Sequence, residues 1–117
     1  MPHVVFDRNI DLVAFSENFA PLFVKEPCVI RLQDVFLSRS KRSALVQAVA
    51  VDHKNQSFLI EISAKDDKTT VRLFPGTDPD KTDGVLLTLA HLSAMIRKQF
   101  ASPQISKTNI AQFMDSV

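Results

Sequence analysis

Tryptophan and tyrosine are absent from this 117-residue sequence, which also contains only two glycines and one cysteine. Two glycines cannot build the glycine-rich loops that hold phosphates, so nucleotide binding by a P-loop or a dinucleotide fingerprint is excluded. The single cysteine, Cys28, has no partner for an intramolecular disulfide, which is typical of a reducing compartment. No apolar run reaches the ~18 residues of a membrane-spanning helix. Because no basic region precedes an apolar one at the start, we expect no signal peptide, no membrane partner and a cytoplasmic location.

The sequence also lacks an excess of charge of either sign. Lysine and arginine total 14 against 13 acidic residues, and neither half of the chain is enriched in one sign. A nucleic-acid-binding protein needs a basic face that neutralises several phosphates. We therefore predict no nucleic-acid partner.

The pattern of apolar residues predicts one α+β domain. Alternation and β-branched residues indicate strands over 3–6, 28–37, 44–51, 58–62 and 69–74. With a helix after the first strand and another after the last, the order is β-α-β-β-β-β-α. This order predicts a mixed sheet with two helices on one face. The domain is expected to cover 1–103, and 104–117 forms a C-terminal tail that is a short strand, a helical turn or an arm on a partner.

Both helices have recognisable ends in the sequence. The first has Asp11 as a plausible N-cap and an apolar stripe at three- and four-residue spacing, with Pro27 closing the segment. The second covers about residues 84–100, after Thr82 or Asp83 as N-cap, and Pro103 ends it. The stripe residues are Leu12, Phe15, Phe19 and Leu22 in the first helix, and Leu86, Leu89, Ala90, Ser93, Ile96 and Phe100 in the second.

Residue spacing indicates no metal centre and no preassembled nucleophile. The three histidines, His3, His53 and His91, are far apart, and none has a second ligand at metal-binding spacing. No nucleophile elbow of the G-x-S-x-G type is present. We therefore predict no metal site and no cofactor.

Three cations within four residues, Arg39, Lys41 and Arg42, allow two interpretations. One is a solvated strand edge whose charge discourages aggregation. The other is a carboxylate-binding site, for which the planar guanidinium group is well suited. The segment taken alone favours the first interpretation.

Pro2 makes the second interpretation chemically interesting. If Met1 is removed, Pro2 becomes a secondary amine at the start of the chain and can act as a base. Desolvation or nearby cations would lower the pKa of this amine toward neutral pH. The cations at 39–42 would then hold a substrate carboxylate and stabilise the dienolate that forms when a proton leaves carbon.

The sequence resembles the tautomerase superfamily, and within it the 5-carboxymethyl-2-hydroxymuconate isomerase branch. The residues that carry the resemblance are Met1-Pro2-His3 before an apolar strand, Ala20–Lys25, Arg39–Arg42 and Leu92–Phe100. The resemblance implies tautomerase-like β-α-β units, a homotrimer with sites at subunit boundaries, and no cofactor. It also implies that Pro2 is the catalytic base and that Arg39, or Lys41 or Arg42, binds the carboxylate of a small substrate.

We therefore expect a tautomerase-like isomerase that shifts a proton in a small keto or enol carboxylic acid. The alternative is a non-catalytic oligomeric α+β binding or interaction module, in which Pro2 is incidental. A third interpretation is an adaptor whose basic loop binds an acidic partner.

Overall fold

Alternating apolar residues fold into a seven-stranded antiparallel sheet, and three helices complete the structure. The computed structural model describes all 117 residues. The strands are β1 (His3–Phe6), β2 (Leu22–Val24), β3 (Val29–Leu37), β4 (Ser43–Val51), β5 (Asn55–Lys65), β6 (Lys68–Leu73) and β7 (Ile105–Thr108). The helices are α1 (Leu12–Glu17), α2 (Asp83–Gln99) and α3 (Ala111–Met114).

The order of strands in the sheet is β2-β3-β4-β5-β6-β1-β7, and each of the neighbouring pairs is antiparallel. The predicted α+β class is confirmed. The finer expectation of β-α-β units in a mixed sheet is not confirmed. A β-α-β unit needs two parallel strands joined by a crossover helix. Helix α1 instead carries the chain from β1 to β2, which forms the opposite edge of the sheet.

One face of the sheet and the helices share a single apolar core. Alternate residues along most of β4, β5 and β6 are buried, and helices α1 and α2 add their own buried side chains to the same cluster. The core includes Val4, Phe6, Leu32, Val46, Ile60, Ile62, Val71 and Leu73 from strands and Leu12, Phe15, Val85, Leu89, Leu92 and Ile96 from helices. Because the helices cover only this face, the other face of the sheet is open.

Helix α1 begins where the sequence predicts but ends earlier. The Asp11 side chain accepts hydrogen bonds from the backbone N–H groups of Val13 and Ala14, as an N-cap does. The helix ends at Glu17, and the stripe residue Leu22 belongs to β2 instead. Pro21 precedes that strand, and the residue before a proline is disfavoured in helical geometry. The apolar spacing therefore continues beyond the helix itself.

Helix α2 spans 83–99, one residue earlier at each end than predicted. Thr82 is the N-cap, and its hydroxyl accepts a hydrogen bond from Val85 N at 3.4 Å. Leu89, Ala90, Ser93 and Ile96 are buried, as their spacing predicts. The buried Ser93 hydroxyl donates to the carbonyl of Leu89 at 2.9 Å, so its polar group is satisfied.

The segment 104–117 contributes to the sheet. It contains both a strand, β7, and a turn of helix, α3, so two of the three alternatives for the tail occur together. Asp7 N donates to the carbonyl of Gln104, and Gln104 N donates to Asp7 Oδ1, both at 2.9 Å. The Asn109 side chain accepts from His3 N and donates to the Met1 carbonyl. This segment therefore holds the start of the chain in place.

None of the helices combines the length and the apolarity that crossing a bilayer requires.

Candidate interaction surface

The open face of the sheet carries apolar side chains that no helix covers. Antiparallel partners directly opposite each other place their side chains on the same face. We call five of these residues the apolar patch: Phe23, Phe36, Leu45, Val49 and Leu59. The exposed fractions of Phe23 and Phe36 are 50% and 52%, and the other three side chains are half-buried. Exposed apolar side chains gathered on one surface are typical of an interaction site.

A β-bulge in β3 brings Phe36 to the open face. The register of β3 against β4 shifts between Leu32 and Asp34. Before the shift the even-numbered Ile30 and Leu32 are buried, whereas after it Val35 faces the core and Phe36 is opposite Leu45. Strict alternation would have placed Phe36 in the core. The bulge therefore creates part of the apolar patch.

Charged residues of both signs border the apolar patch. The Arg31 guanidinium lies 4.8 Å from the centre of the Phe23 ring, a cation–π contact. Asp34 lies on the same strand beyond the bulge, and neither Arg31 nor Asp34 forms an ion pair within the chain. Farther across the sheet, Arg72 and Glu61 are paired at 2.7 Å. Lys25 Nζ also lies 5.7 Å from the centre of the Phe23 ring and forms no ion pair, so the border has two free cations and one free carboxylate next to apolar surface.

Within one chain, the predicted base and the predicted carboxylate-binding cations lie far apart across the sheet. Pro2 is buried where β1 begins, and its nitrogen is an amide bonded to the Met1 carbonyl carbon. The cations at 39–42 form the turn between β3 and β4, at the end of the sheet where β1 finishes. β1 and β3 are four interstrand spacings apart, which is about 19 Å. Bringing the two together would require the 39–42 segment of another copy.

The 39–42 segment is an exposed turn and not a strand. Ser38 N donates to the Ser43 carbonyl at 2.9 Å, and Lys41 has a positive φ of 63°. Arg39, Lys41 and Arg42 are all exposed, and none forms an ion pair. Pro2 lines none of the four main concavities of the surface, and neither do these three cations.

A groove of about 500 Å³ lies where α2 begins, and it contains the only thiol. Burial raises the pKa of the Cys28 thiol, and the charges of Asp52 and Asp83 add to this effect. Since the thiolate is the nucleophilic form, Cys28 is not an activated nucleophile at neutral pH. The pKa of the Asp52 carboxyl is instead lowered below its usual range, because the backbone N–H of Gly84 donates a hydrogen bond to it at 3.0 Å. The carboxylate thus stabilises the start of α2.

We predict that Gly84→Ala destabilises the protein by about 1–3 kcal/mol, because a Cβ here overpacks the groove. An ideal Cβ would lie 2.8 Å from Asp52 Oδ2, too close for ordinary contact. In an Asp52→Ala background the same change should instead stabilise by up to ~1 kcal/mol, since alanine favours a helix over glycine. Urea denaturation of the four proteins in this cycle measures both values. A destabilisation that is equal in both backgrounds would contradict the assigned contact.

The largest of the four concavities, about 590 Å³, lies along α2 beside Leu22, and His91, Arg97 and Lys98 contribute to its lining. Burial lowers the pKa of His91. Neither a thiol nor an acidic side chain lines this concavity.

No family model, curated protein or solved structure matches the chain. The sequence signal that could have indicated the apolar patch is in β4. There Leu45, Val49 and Val51 alternate with buried residues on the other face, so the strand is apolar on both sides. Such a run is typical of a strand that is covered on both faces.

Proposed function

We propose that this protein is a non-catalytic interaction module that binds a second copy of itself through the open face of its sheet. The observation that carries the proposal is the pair of half-exposed phenylalanines, Phe23 and Phe36, on a sheet face that no helix covers. Packing two such faces together removes these rings from water. Sheets that pack face to face bury their inner side chains in a layer about 10 Å thick.

The charges next to the apolar patch fit a second copy as the occupant. A two-fold interface brings each patch against itself, so it must be self-complementary. Arg31 and Asp34 have opposite charges and lack ion-pair partners within the chain. In a symmetric pair the arginine of one copy can meet the aspartate of the other, and the same contact then occurs twice.

The size of the face also fits. Strands β2 to β6 span about 19 Å and nine-residue strands are about 30 Å long, which gives on the order of 600 Å² per copy. Two copies would bury about 1,200 Å², the lower end of the range for specific interfaces. We expect a dimer with a Kd on the order of 1 μM.

Sedimentation velocity over a range of concentrations tests this proposal. The expected species has twice the 13.1 kDa mass of the chain and dissociates on dilution. A species at three times that mass would instead favour the homotrimer that the tautomerase resemblance implies. A monomer at every concentration would contradict self-association.

The isomerase is the second candidate, and a cytoplasmic location remains a prediction for either. One observation favours the isomerase: Pro2 is buried at the start of β1, so a base at this position would be held rigidly. The mechanism requires removal of Met1 and a neighbouring copy that supplies Arg39, Lys41 or Arg42 to a small carboxylate substrate.

Assays of phenylenolpyruvate ketonisation test the isomerase with protein whose lack of Met1 has been verified by intact mass. We expect Pro2→Ala to abolish the rate if Pro2 is the base, and Arg39→Ala to raise KM if Arg39 holds the carboxylate. Equal rates for the wild type and both variants would discard the isomerase.

A further inference from the structure

At the hairpin end of the open face, the residues of β5 and β6 form a depression lined only by polar side chains. Its volume is about 390 Å³, and its lining consists of Ser63, Lys65, Asp66, Lys68, Thr70 and Arg72. The alternation of β5 and β6 places the strand residues of this lining on the open face, because Ile62, Thr69 and Val71 between them are buried. The depression lies beside the apolar patch but shares no residue with it.

Two lysines face each other across this depression. Lys65 and Lys68 are directly opposite in the register of β5 and β6. Like charges in this arrangement destabilise a strand pair, since the side chains start only about 5 Å apart. Neither lysine forms an ion pair, although Asp66 and Asp67 form the turn between them. The ammonium groups of Lys65 and Lys68 therefore repel each other in the free protein, and a bound anion would reduce this repulsion.

Two hydroxyl groups complete the lining beside the lysines. Ser63 and Thr70 are opposite each other, two residues inward from the lysine pair along each strand. Both are half-buried. Neither side chain is hydrogen-bonded within the protein, whereas the hydroxyl of the adjacent Thr69 is. Hydroxyl donors next to ammonium groups suit an oxyanion, which accepts several short charge-assisted hydrogen bonds.

Two other charged side chains near the depression, Arg72 and Glu61, form an ion pair with each other. Arg72 donates through Nε to Glu61 at 2.8 Å and through a terminal nitrogen at 2.7 Å, so this pair is neutral overall. Farther across the same face, Lys107 on β7 is opposite Val5 and adds positive charge. The groups at the depression that form no ion pair are therefore two ammonium groups and two hydroxyls, with two carboxylates, Asp66 and Asp67, at the turn.

We propose that this depression is an oxyanion-binding site that takes a phosphate group, with Lys65 and Lys68 neutralising its charge and Ser63 and Thr70 donating hydrogen bonds. The site can be tested apart from self-association, because none of its residues belongs to the apolar patch and a variant of the patch leaves them unchanged. A carboxylate shares part of this chemistry but has fewer oxygens to meet four donors.

The test measures the melting temperature and the NMR chemical shifts of the full chain in inorganic phosphate, acetate and chloride at equal ionic strength. We expect phosphate to raise the melting temperature above the value in chloride, with acetate having a smaller effect.

Thr70→Val should weaken phosphate binding. Lys68→Glu should weaken it by about tenfold or more. In chloride, however, Lys68→Glu should raise the melting temperature, since an opposite-charge pair replaces a like-charge one. A variant that is more stable yet binds less phosphate cannot owe its lost binding to unfolding.

Lys98→Glu on helix α2 is the matched control, because it makes the same charge change at an exposed site outside the depression. It should keep the phosphate response, and so should a variant in which both Phe23 and Phe36 are replaced. A wild-type protein that responds equally to phosphate and chloride would overturn the proposal. An equal loss of response in Lys98→Glu and Lys68→Glu would also overturn it, by showing a general charge effect.

Discussion

Replacing both Phe23 and Phe36 with threonine should convert the protein from a dimer to a monomer. Threonine retains a preference for strands, so the change removes ring area without weakening β2 or β3. Each ring is half-exposed, and burying the remaining area is worth about 1 kcal/mol. A two-fold interface contains both residues twice, so the four rings together contribute about 4 kcal/mol. The dimer should therefore weaken by about three orders of magnitude.

The matched control for this variant is Val117→Thr. Val117 is another exposed large hydrophobic residue, 41% accessible, and it lies beside α2 and not on the open face. Its replacement should leave the sedimentation of the dimer unchanged. The double variant should also retain the circular dichroism of the wild type and, at concentrations well below the dimer Kd, its unfolding midpoint. A double variant that sediments as the wild type does would show that the apolar patch is not the interface.

The largest loss of stability should come from Thr69→Val. Thr69 is fully buried, and its hydroxyl donates to the carbonyl of Arg8 at 2.8 Å and accepts from Ile10 N at 3.1 Å. Valine has nearly the same shape but leaves both backbone groups without a partner. Each unsatisfied buried group costs about 1–3 kcal/mol, so we expect a total loss of roughly 2–6 kcal/mol. This loss is a large fraction of the ~5–15 kcal/mol that stabilises a domain.

Thr70→Val provides the comparison, because the next residue along β6 points to the open face and has no hydrogen bond to lose. In phosphate-free buffer its free energy of unfolding should stay within about 0.5 kcal/mol of the wild type. Urea denaturation of the two variants measures both values. Similar losses at the two positions would contradict the role assigned to the Thr69 hydroxyl in holding the segment between β1 and α1.

The regular part of the fold follows from local signals in the sequence. Alternation identifies β3 to β6, and the caps Asp11 and Thr82 mark where α1 and α2 begin. What alternation cannot give is strand order, because pairing depends on contacts between distant residues. β1 is inside the sheet only because β7, about a hundred residues later, pairs with it. The helical spacing of apolar residues likewise continues past the end of α1, so it does not indicate that Leu22 belongs to a short edge strand.

The sequence pattern does not predict the apolar patch, for a different physical reason. A β-bulge adds one residue to a strand and reverses which residues face the core from that point on. No residue type around Gln33 indicates the shift in register, so alternation alone predicts that Phe36 faces the core. The charge of the 39–42 cations is evident from the sequence, whereas their position depends on the turn between β3 and β4. The open face itself is visible only once all three helices are placed on the other side.

The central claim is that the open face is where two copies meet, and site-specific cross-linking tests it most directly. Gln47 lies at the middle of β4, exposed and next to Leu59 in the register. In a Cys28→Ser background, Gln47→Cys should be cross-linked between copies by a bismaleimide that matches the ~10 Å between packed sheets. Lys98→Cys, exposed on α2, should give no cross-linked product at the same protein concentration. Equal cross-linking at both positions, or cross-linking at Lys98→Cys alone, would contradict the claim.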